Sequence, residues 1–377
     1  MPPLADTLHR ARHGAWIEIH TDRLLRNLSA IRSLQRPGTH VLAVIKANAY
    51  GHGLTGIAEI LAPYVDYLGV SSVREVFELK EGKIQTPLFL MARLLPEEMP
   101  QVLLDGVTLS LSSWEEASTL NDASLAAGRR AKVHIKIDTG MGRLGIPFGE
   151  ALKTVKKIAQ LPALELEGLF THFPSAEAED GFTRNQVADF SLLMQALEME
   201  GLRFHFRHAA NSAGSVQIKT PALNMIRPGL MLYGAYPDPS LHSSVSVAPV
   251  MSLKARLISV KRIREGQSVG YGRTFTAACP TTIGLLPVGY SLGFPVRASA
   301  RASVLYQGER VPLAGRVSMD YLAVDLGNRN AHVGDEVTLI GQELNQEITV
   351  EDLAAWAGTI PYEILTGLSP EIPRLFF

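Results

Sequence analysis

Lys46 closes the apolar run Val41-Leu42-Ala43-Val44-Ile45 and is followed by Ala47-Asn48-Ala49-Tyr50-Gly51-His52-Gly53. The run reads as a strand buried on both faces. An amine at the end of such a strand is poorly hydrated, which favours its neutral, nucleophilic form. That suits a Schiff base with a carbonyl substrate or with pyridoxal phosphate. A lone lysine there is more often one that snorkels to solvent. The Tyr-Gly-His-Gly just after it shifts the balance toward chemistry.

Other stretches carry groups of chemical interest. In Val133-His134-Ile135-Lys136-Ile137-Asp138, alternation puts His134, Lys136 and Asp138 on one face. If that face lines a barrel, Lys136 needs a partner; a structural Lys136–Asp138 pair and a functional Lys136 stand about even. Gly140-Met141-Gly142-Arg143-Leu144-Gly145 fits the dinucleotide pattern. Pro147, however, falls where the nucleotide-binding helix should be established. Arg143 in a glycine turn better suits a carboxylate. Gly289-Tyr290-Ser291-Leu292-Gly293 matches the hydrolase elbow, but Pro295 denies it the helix it needs. Gly270-Tyr271-Gly272 holds a tyrosine that its flanking glycines would let project into another surface, although a packed loop tyrosine is the commoner case. The histidines show no metal spacing. The single cysteine, Cys279, excludes an intramolecular disulfide and a cysteine-based zinc cluster.

These groups need elements to hold them. Trp16-Ile17-Glu18-Ile19-His20 alternates as a short strand, and Thr21 or Asp22 can cap the helix after it. Apolar runs then recur at residues 41–46, 67–71, 88–91, 107–111, 133–138, 166–172, 204–209 and 225–232, with helix-like segments between. Eight such repeats predict a parallel (β/α)8 TIM-type barrel. Lys46, Asp138, His172, Asn211 and Ser212 fall at or just past strand carboxyl ends, the face where barrels build their sites. Beyond residue 243 the texture becomes β-like, with runs at 250–260, 282–287, 302–306, 321–325 and 336–340. The expected organisation is an α/β chain: an N-terminal strand within 1–20 packing with the C-terminal part, a barrel over 21–243, and a mostly β C-terminal domain over 244–377.

The 377 residues are 46% hydrophobic and 19% charged, with a net charge of −1. This offers no basic footprint for nucleic acid and no polybasic membrane patch. No apolar stretch is long enough to span a membrane, and Met1-Pro2-Pro3-Leu4-Ala5-Asp6 carries no secretory pattern. A cytoplasmic enzyme is the default.

Lys46-Ala47-Asn48-Ala49-Tyr50-Gly51-His52-Gly53 resembles the pyridoxal-phosphate attachment motif of alanine racemases. The resemblance runs almost end to end, through Lys136-Ile137-Asp138-Thr139-Gly140-Met141-Gly142-Arg143, Gly168-Leu169-Phe170-Thr171-His172-Phe173, His208-Ala209-Ala210-Asn211-Ser212, Arg227-Pro228-Gly229, Val269-Gly270-Tyr271-Gly272, Arg316-Val317-Ser318-Met319-Asp320 and Thr359-Ile360-Pro361-Tyr362-Glu363. It implies a pyridoxal-phosphate-dependent, two-base interconversion of L- and D-alanine that supplies D-alanine for peptidoglycan. Lys46 would hold the cofactor and act as one base, and Tyr271, donated by the other subunit of a homodimer, as the second. Tyr50, Ser212, Tyr362 and the backbone of Gly229 and Leu230 would hold the phosphate. Arg227 would face the pyridine nitrogen with His208 behind it. Arg143 and the Met319 amide would take the substrate carboxylate, and Lys136 matches a lysine carbamylated in some members. His172 is the neighbour expected to help Tyr271 act as a base, by charge or by hydrogen bonding. Two departures bear on substrate choice. Ser291-Leu292-Gly293-Phe294-Pro295-Val296 stands where the family commonly has Ala-Asp-Gly-Tyr-Pro-Arg, and Ser318 replaces a frequent cysteine. A racemase of another small amino acid such as serine, and a non-catalytic pyridoxal-phosphate carrier, are the alternatives.

Overall fold

A computed structural model describes residues 14–178 and 181–377. The leader reading at residues 1–6 lies outside them. Eight strands close into a parallel barrel: β2 (His40–Val44), β3 (Tyr67–Val70), β4 (Leu88–Leu90), β5 (Val107–Leu111), β6 (Ala131–Asp138), β8 (Leu164–Phe170), β9 (Phe206–His208) and β10 (Met225–Ile226). β5 pairs with β6 and β10 with β2, so the barrel has no open edge. β7 (Ile146–Pro147) lies beside the carboxyl end of β6. β1 (Ala15–Ile19) belongs elsewhere: it runs antiparallel to β11 and parallel to β21.

The other strands are β11 (Met251–Arg256), β12 (Ser259–Ile263), β13 (Ser268–Val269), β14 (Phe275–Thr276), β15 (Thr281–Leu286), β16 (Ser303–Tyr306), β17 (Glu309–Pro312), β18 (Leu322–Gly327), β19 (Glu336–Glu343), β20 (Gln346–Ile348) and β21 (Arg374–Phe376). One sheet has the order β17-β16-β19-β11-β1-β21, with β20 on β19; β12-β15-β18 form a second, and β13 and β14 a hairpin. Helices Val350–Ala357 and Pro361–Gly367 complete this half.

Four local expectations need correcting. The helix Thr21–Ser33 takes His20 as its N-cap, and neither Thr21 nor Asp22 caps it, because Thr21 Oγ1 donates instead to the Phe377 carbonyl at 2.6 Å. The run at 250–260 is two strands in different sheets, since the Leu257 and Ile258 amides turn to Asp335 and Leu285. The eighth barrel strand stops at Ile226, and Leu230–Tyr233 coils into a 3-10 turn. The β4–β5 connection also carries only a 3-10 turn, Met99–Val102.

Two glycines show how tightly this frame closes over the loop after β2. Gly51 has φ +79° and an added Cβ would lie 2.1 Å from the Leu365 carbonyl oxygen. Gly51→Ala should therefore cost about 2–4 kcal/mol through strain and a forced shift of Pro361–Gly367; equilibrium denaturation measures it, and an unchanged midpoint would contradict the contact. At Gly56, a Cβ would meet the Phe376 ring at 2.4 Å, so β21 also packs on this segment.

Candidate active site

β2 delivers Lys46 to the carboxyl-end mouth of the barrel, and the turn just past it is not an ordinary helix. Ala47, Asn48, Ala49 and Tyr50 all have φ between 52° and 56°, one left-handed turn ending at Gly51. Left-handed conformation in successive L-residues is costly, so the surroundings must impose it. Glu75 Oε1 accepts from the Ala47 amide at 2.6 Å, Asn48 Oδ1 from the Leu54 amide at 2.8 Å, and the Gly51 carbonyl from Arg374 Nε at 3.0 Å. His52 Nδ1 lies 3.1 Å and 2.9 Å from the carbonyls of Ala49 and Tyr50, so it must be the protonated nitrogen. The histidine of the Tyr-Gly-His-Gly run thus fastens the turn, while Arg374 ties it to the C-terminal half.

A cavity of about 420 Å³ opens at this mouth and is lined by Lys46, Tyr50, Lys136, Arg143, His172, Ser212, Arg227, Gly229, Leu230 and Tyr362, among others. Ten of the residues singled out in the sequence therefore meet at one place. His208 stands behind Arg227, fully buried, with Nδ1 at 2.8 Å from Arg227 Nη1. Tyr271 and Met319 do not line the cavity within this chain. Tyr271 sits on the 3-10 turn Tyr271–Arg273 at the tip of the β13–β14 hairpin and is 73% exposed; Met319 is 54% exposed.

Burial is the first cause that lowers the Lys46 pKa, and the positive charge of Arg143 is the second. Burial and then Arg143 push Lys136 down to about 8. No hydrogen bond or ion pair to Lys136 forms among the described residues, so the Lys136–Asp138 pair is not made. Asp138 instead accepts from the Gly140 and Gly142 amides at 2.9 and 3.1 Å and holds the turn that carries Arg143. Helix Phe148–Ile158 starts only after Pro147, which agrees with setting the dinucleotide pattern aside.

Arg227 is buried and touches no carboxylate. Its Nη2 donates to the carbonyls of Thr171 and Ala209 at 2.9 and 3.0 Å and to His172 Nδ1 at 3.0 Å. Burial and the Arg227 charge push His172 down to about 2, so this imidazole is neutral. It can offer a hydrogen bond from Nε2 but not a charge, which removes the cationic half of its expected help to a tyrosine base. Ser212 Oγ accepts from the amides of Gly229 at 3.0 Å and Met231 at 3.4 Å. Asn211, capping the short helix Ser212–Gln217, fixes that serine. Tyr50 stacks on Tyr233 at 5.0 Å, and a Cβ on Gly229 would come within 2.6 Å of Tyr50 Oη. Burial pushes Tyr362 up to about 12, so it keeps its proton and donates.

These groups fit a phosphorylated pyridoxal. An amine, hydroxyls and amides gathered around Gly229, and a guanidinium satisfied only by neutral acceptors line the same cavity. No cluster of potential metal ligands occurs among the described residues. Glu75, Arg374, Tyr233 and the Glu167–His134 contact behind His208 had no signal in residue spacing.

Residues 19–237 match the family described as alanine racemase, N-terminal domain, and residues 250–376 its C-terminal domain. The alanine racemase of Methanococcus maripaludis is 36% identical over 97% of this chain and 99% of its own, and that of Geobacter sulfurreducens 38% over 92% of each. The Clostridium difficile alanine racemase structure superposes with a TM-score of 0.92 at 32% identity, covering 97% of this chain and 96% of that one. A Bacillus anthracis alanine racemase solved with bound L-Ala-P gives 0.91 at 29% identity, over 97% and 95%. With both halves matched and whole-length relatives above 30% identity, the chain belongs to the alanine racemase family.

Proposed function

We propose that the protein interconverts L- and D-alanine with pyridoxal phosphate, as a homodimer whose subunits complete each other's sites. One observation carries this: Lys46 and Arg227 line one cavity at the barrel mouth, while Tyr271 stands exposed on a hairpin tip outside it. When bound, pyridoxal phosphate supplies the electron-withdrawing ring that acidifies the α-hydrogen of an attached amino acid. Lys46 Nζ anchors the group and moves a proton on one face. Tyr271 Oη of the partner subunit moves it on the other. Arg227 donates toward the ring nitrogen without surrendering its proton. Ser212, Tyr50, Tyr362 and the amides of Gly229 and Leu230 hold the phosphate. Arg143 and the Met319 amide take the substrate carboxylate.

The exposed surface around Tyr271 supports the shared site. The Tyr290 amide bonds to Ser318, Ser318 Oγ to the Tyr321 carbonyl, and Gly270 lies against Arg316. Tyr290 and Tyr321 are 46% and 45% exposed, so with Tyr271 and Met319 these linked loops present exposed aromatic and apolar side chains of the kind a second copy covers. Optical rotation of L-alanine, with and without added pyridoxal phosphate, tests the activity; no decay with the cofactor present refutes it. Parallel L-serine tests whether Leu292 and Val296 have shifted the preference. The supply of D-alanine to cell-wall synthesis is the physiological role this activity would serve. No helix among the described residues is long and apolar enough to cross a membrane.

Lys136 is proposed to take up carbon dioxide as a carbamate, which would turn a buried cation that faces only the Phe170 ring into an anion beside Arg143. In carbon-dioxide-free buffer the free amine has a pH signature. Its ordinary pKa is 10.5 and the folded value about 8. Between those values the unfolded chain binds a proton that the folded one does not, so stability rises with pH across that window. Lys136→Met should flatten the rise by its own share, leaving the smaller part due to Lys46, as measured by denaturant midpoints; bicarbonate should add the mass of one carbon dioxide to the unsubstituted protein only.

A further inference from the structure

Arg227 is a buried cation with four neutral acceptors, yet buried charge is stable only when an opposite charge answers it. One carboxylate lies along the hydrogen bonds behind it. His208 Nδ1 meets Arg227 at 2.8 Å, His208 Nε2 meets His134 Nδ1 at 2.8 Å, and His134 Nε2 meets Glu167 Oε2 at 3.2 Å.

Proton order along this chain has one solution. Arginine only donates, so His208 Nδ1 is bare and its proton is on Nε2. That proton goes to His134 Nδ1, which leaves the His134 proton on Nε2, aimed at Glu167. A carboxylate at the far end accepts it. Each link agrees with the next, from the cation to the anion.

The strand is shaped to put Glu167 there. Pairing of β6 with β8 slips by one residue, from Val133↔Leu166 to His134↔Gly168, so Glu167 is the extra residue of a bulge. A Cβ on Gly168 would lie 2.5 Å from His134 Cγ, so only glycine leaves room for the ring. Tyr67 Oη donates to Glu167 at 2.6 Å and Thr108 Oγ1 at 3.3 Å, while Lys132 reaches it at 3.4 Å from the surface. Burial acts to raise the Glu167 pKa, but the hydrogen bonds from His134 and Tyr67 outweigh it and hold the group down to about 2.

We infer that Glu167 is a positioning residue for the reaction: the remote counter-charge of Arg227, joined to it by a one-way relay through His134 and His208. The inference rests on the racemase function proposed above. The carboxylate keeps both imidazoles as Nε2–H tautomers, which leaves His208 Nδ1 to accept from Arg227. The guanidinium is thereby held in place and charged, with donors left over for the cofactor ring.

Protein with isotopically labelled histidine nitrogens tests the relay directly. Long-range nitrogen–proton NMR spectra should show His134 and His208 as neutral Nε2–H tautomers; an Nδ1–H form or an imidazolium at either position overturns the proposal. In holoenzyme, Glu167→Gln should lower kcat about tenfold or more, the effect of weakening one charge-assisted contact, with KM changed less than about twofold. Glu167→Asp should recover part of that loss. A folded Glu167→Gln enzyme with unaltered kcat also overturns it. The tautomer spectra need no turnover and no variant, so they decide the relay even if Glu167→Gln does not fold. An unsubstituted protein that leaves alanine unchanged removes the proposed function instead.

Discussion

Lys46→Ala should abolish alanine racemisation, and with it the visible absorbance that pyridoxal phosphate takes on when bound to the protein. Two roles are lost together, the covalent anchor and one proton carrier. General acid–base work alone is worth about 10²–10⁴-fold, and removing the anchor adds to it. Folding should survive, because Lys46 makes no hydrogen bond within the described residues and the turn after it is held by Glu75, His52 and Arg374. In the unsubstituted protein, borohydride should link the cofactor to the peptide containing Lys46 and to no other. A label on another lysine would move the centre of the chemistry elsewhere in the cavity; Lys136 is the other amine that lines it.

Tyr271→Phe should behave differently. The cofactor absorbance should remain, since Lys46, Arg227 and the groups assigned to the phosphate are untouched, while interconversion falls about 10²–10⁴-fold. Mixing the two inactive proteins is the stronger measurement. In a mixed dimer, one site combines Lys46 from one subunit with Tyr271 from the other, and the second site has neither. Random reassortment should therefore restore about a quarter of the unsubstituted activity, as two-fold symmetry requires. If mixing restores nothing while dimers demonstrably exchange, Tyr271 does not act across the interface.

Much of this site was legible because its residues sit where a local rule places them. An apolar run ending in lysine announces a strand end, and Asp138, His172 and Ser212 obey the same logic on later strands. The resemblance then joined residues far apart in the chain, such as Arg143 and Tyr362. What stayed hidden depends on the backbone. Ala47, Asn48, Ala49 and Tyr50 are unremarkable types, Asn48 aside, for a left-handed turn; tertiary hydrogen bonds impose it. Alternation put His134 on an inward face, but its partner depends on a one-residue slip between β6 and β8. Within Leu164–Phe170 no period marks Glu167 as the residue that bulges out to meet it. In the C-terminal half, the break at Leu257 and Ile258 comes from hydrogen bonds to distant strands, which no period of two can reveal.

The strand that steadies the lysine loop comes from far along the chain: Arg374 and Gly51 are 323 residues apart. Arg374 grips the Gly51 carbonyl, Phe376 packs on Gly56, and β21 zips onto β1 beside residues threaded much earlier. The barrel strands pair only with one another and with β7, so the barrel can close first, but the turn after Lys46 lacks its clamp until β21 is in place. A chain without β21 would thus keep every side chain that lines the cavity and still hold its lysine loop loosely.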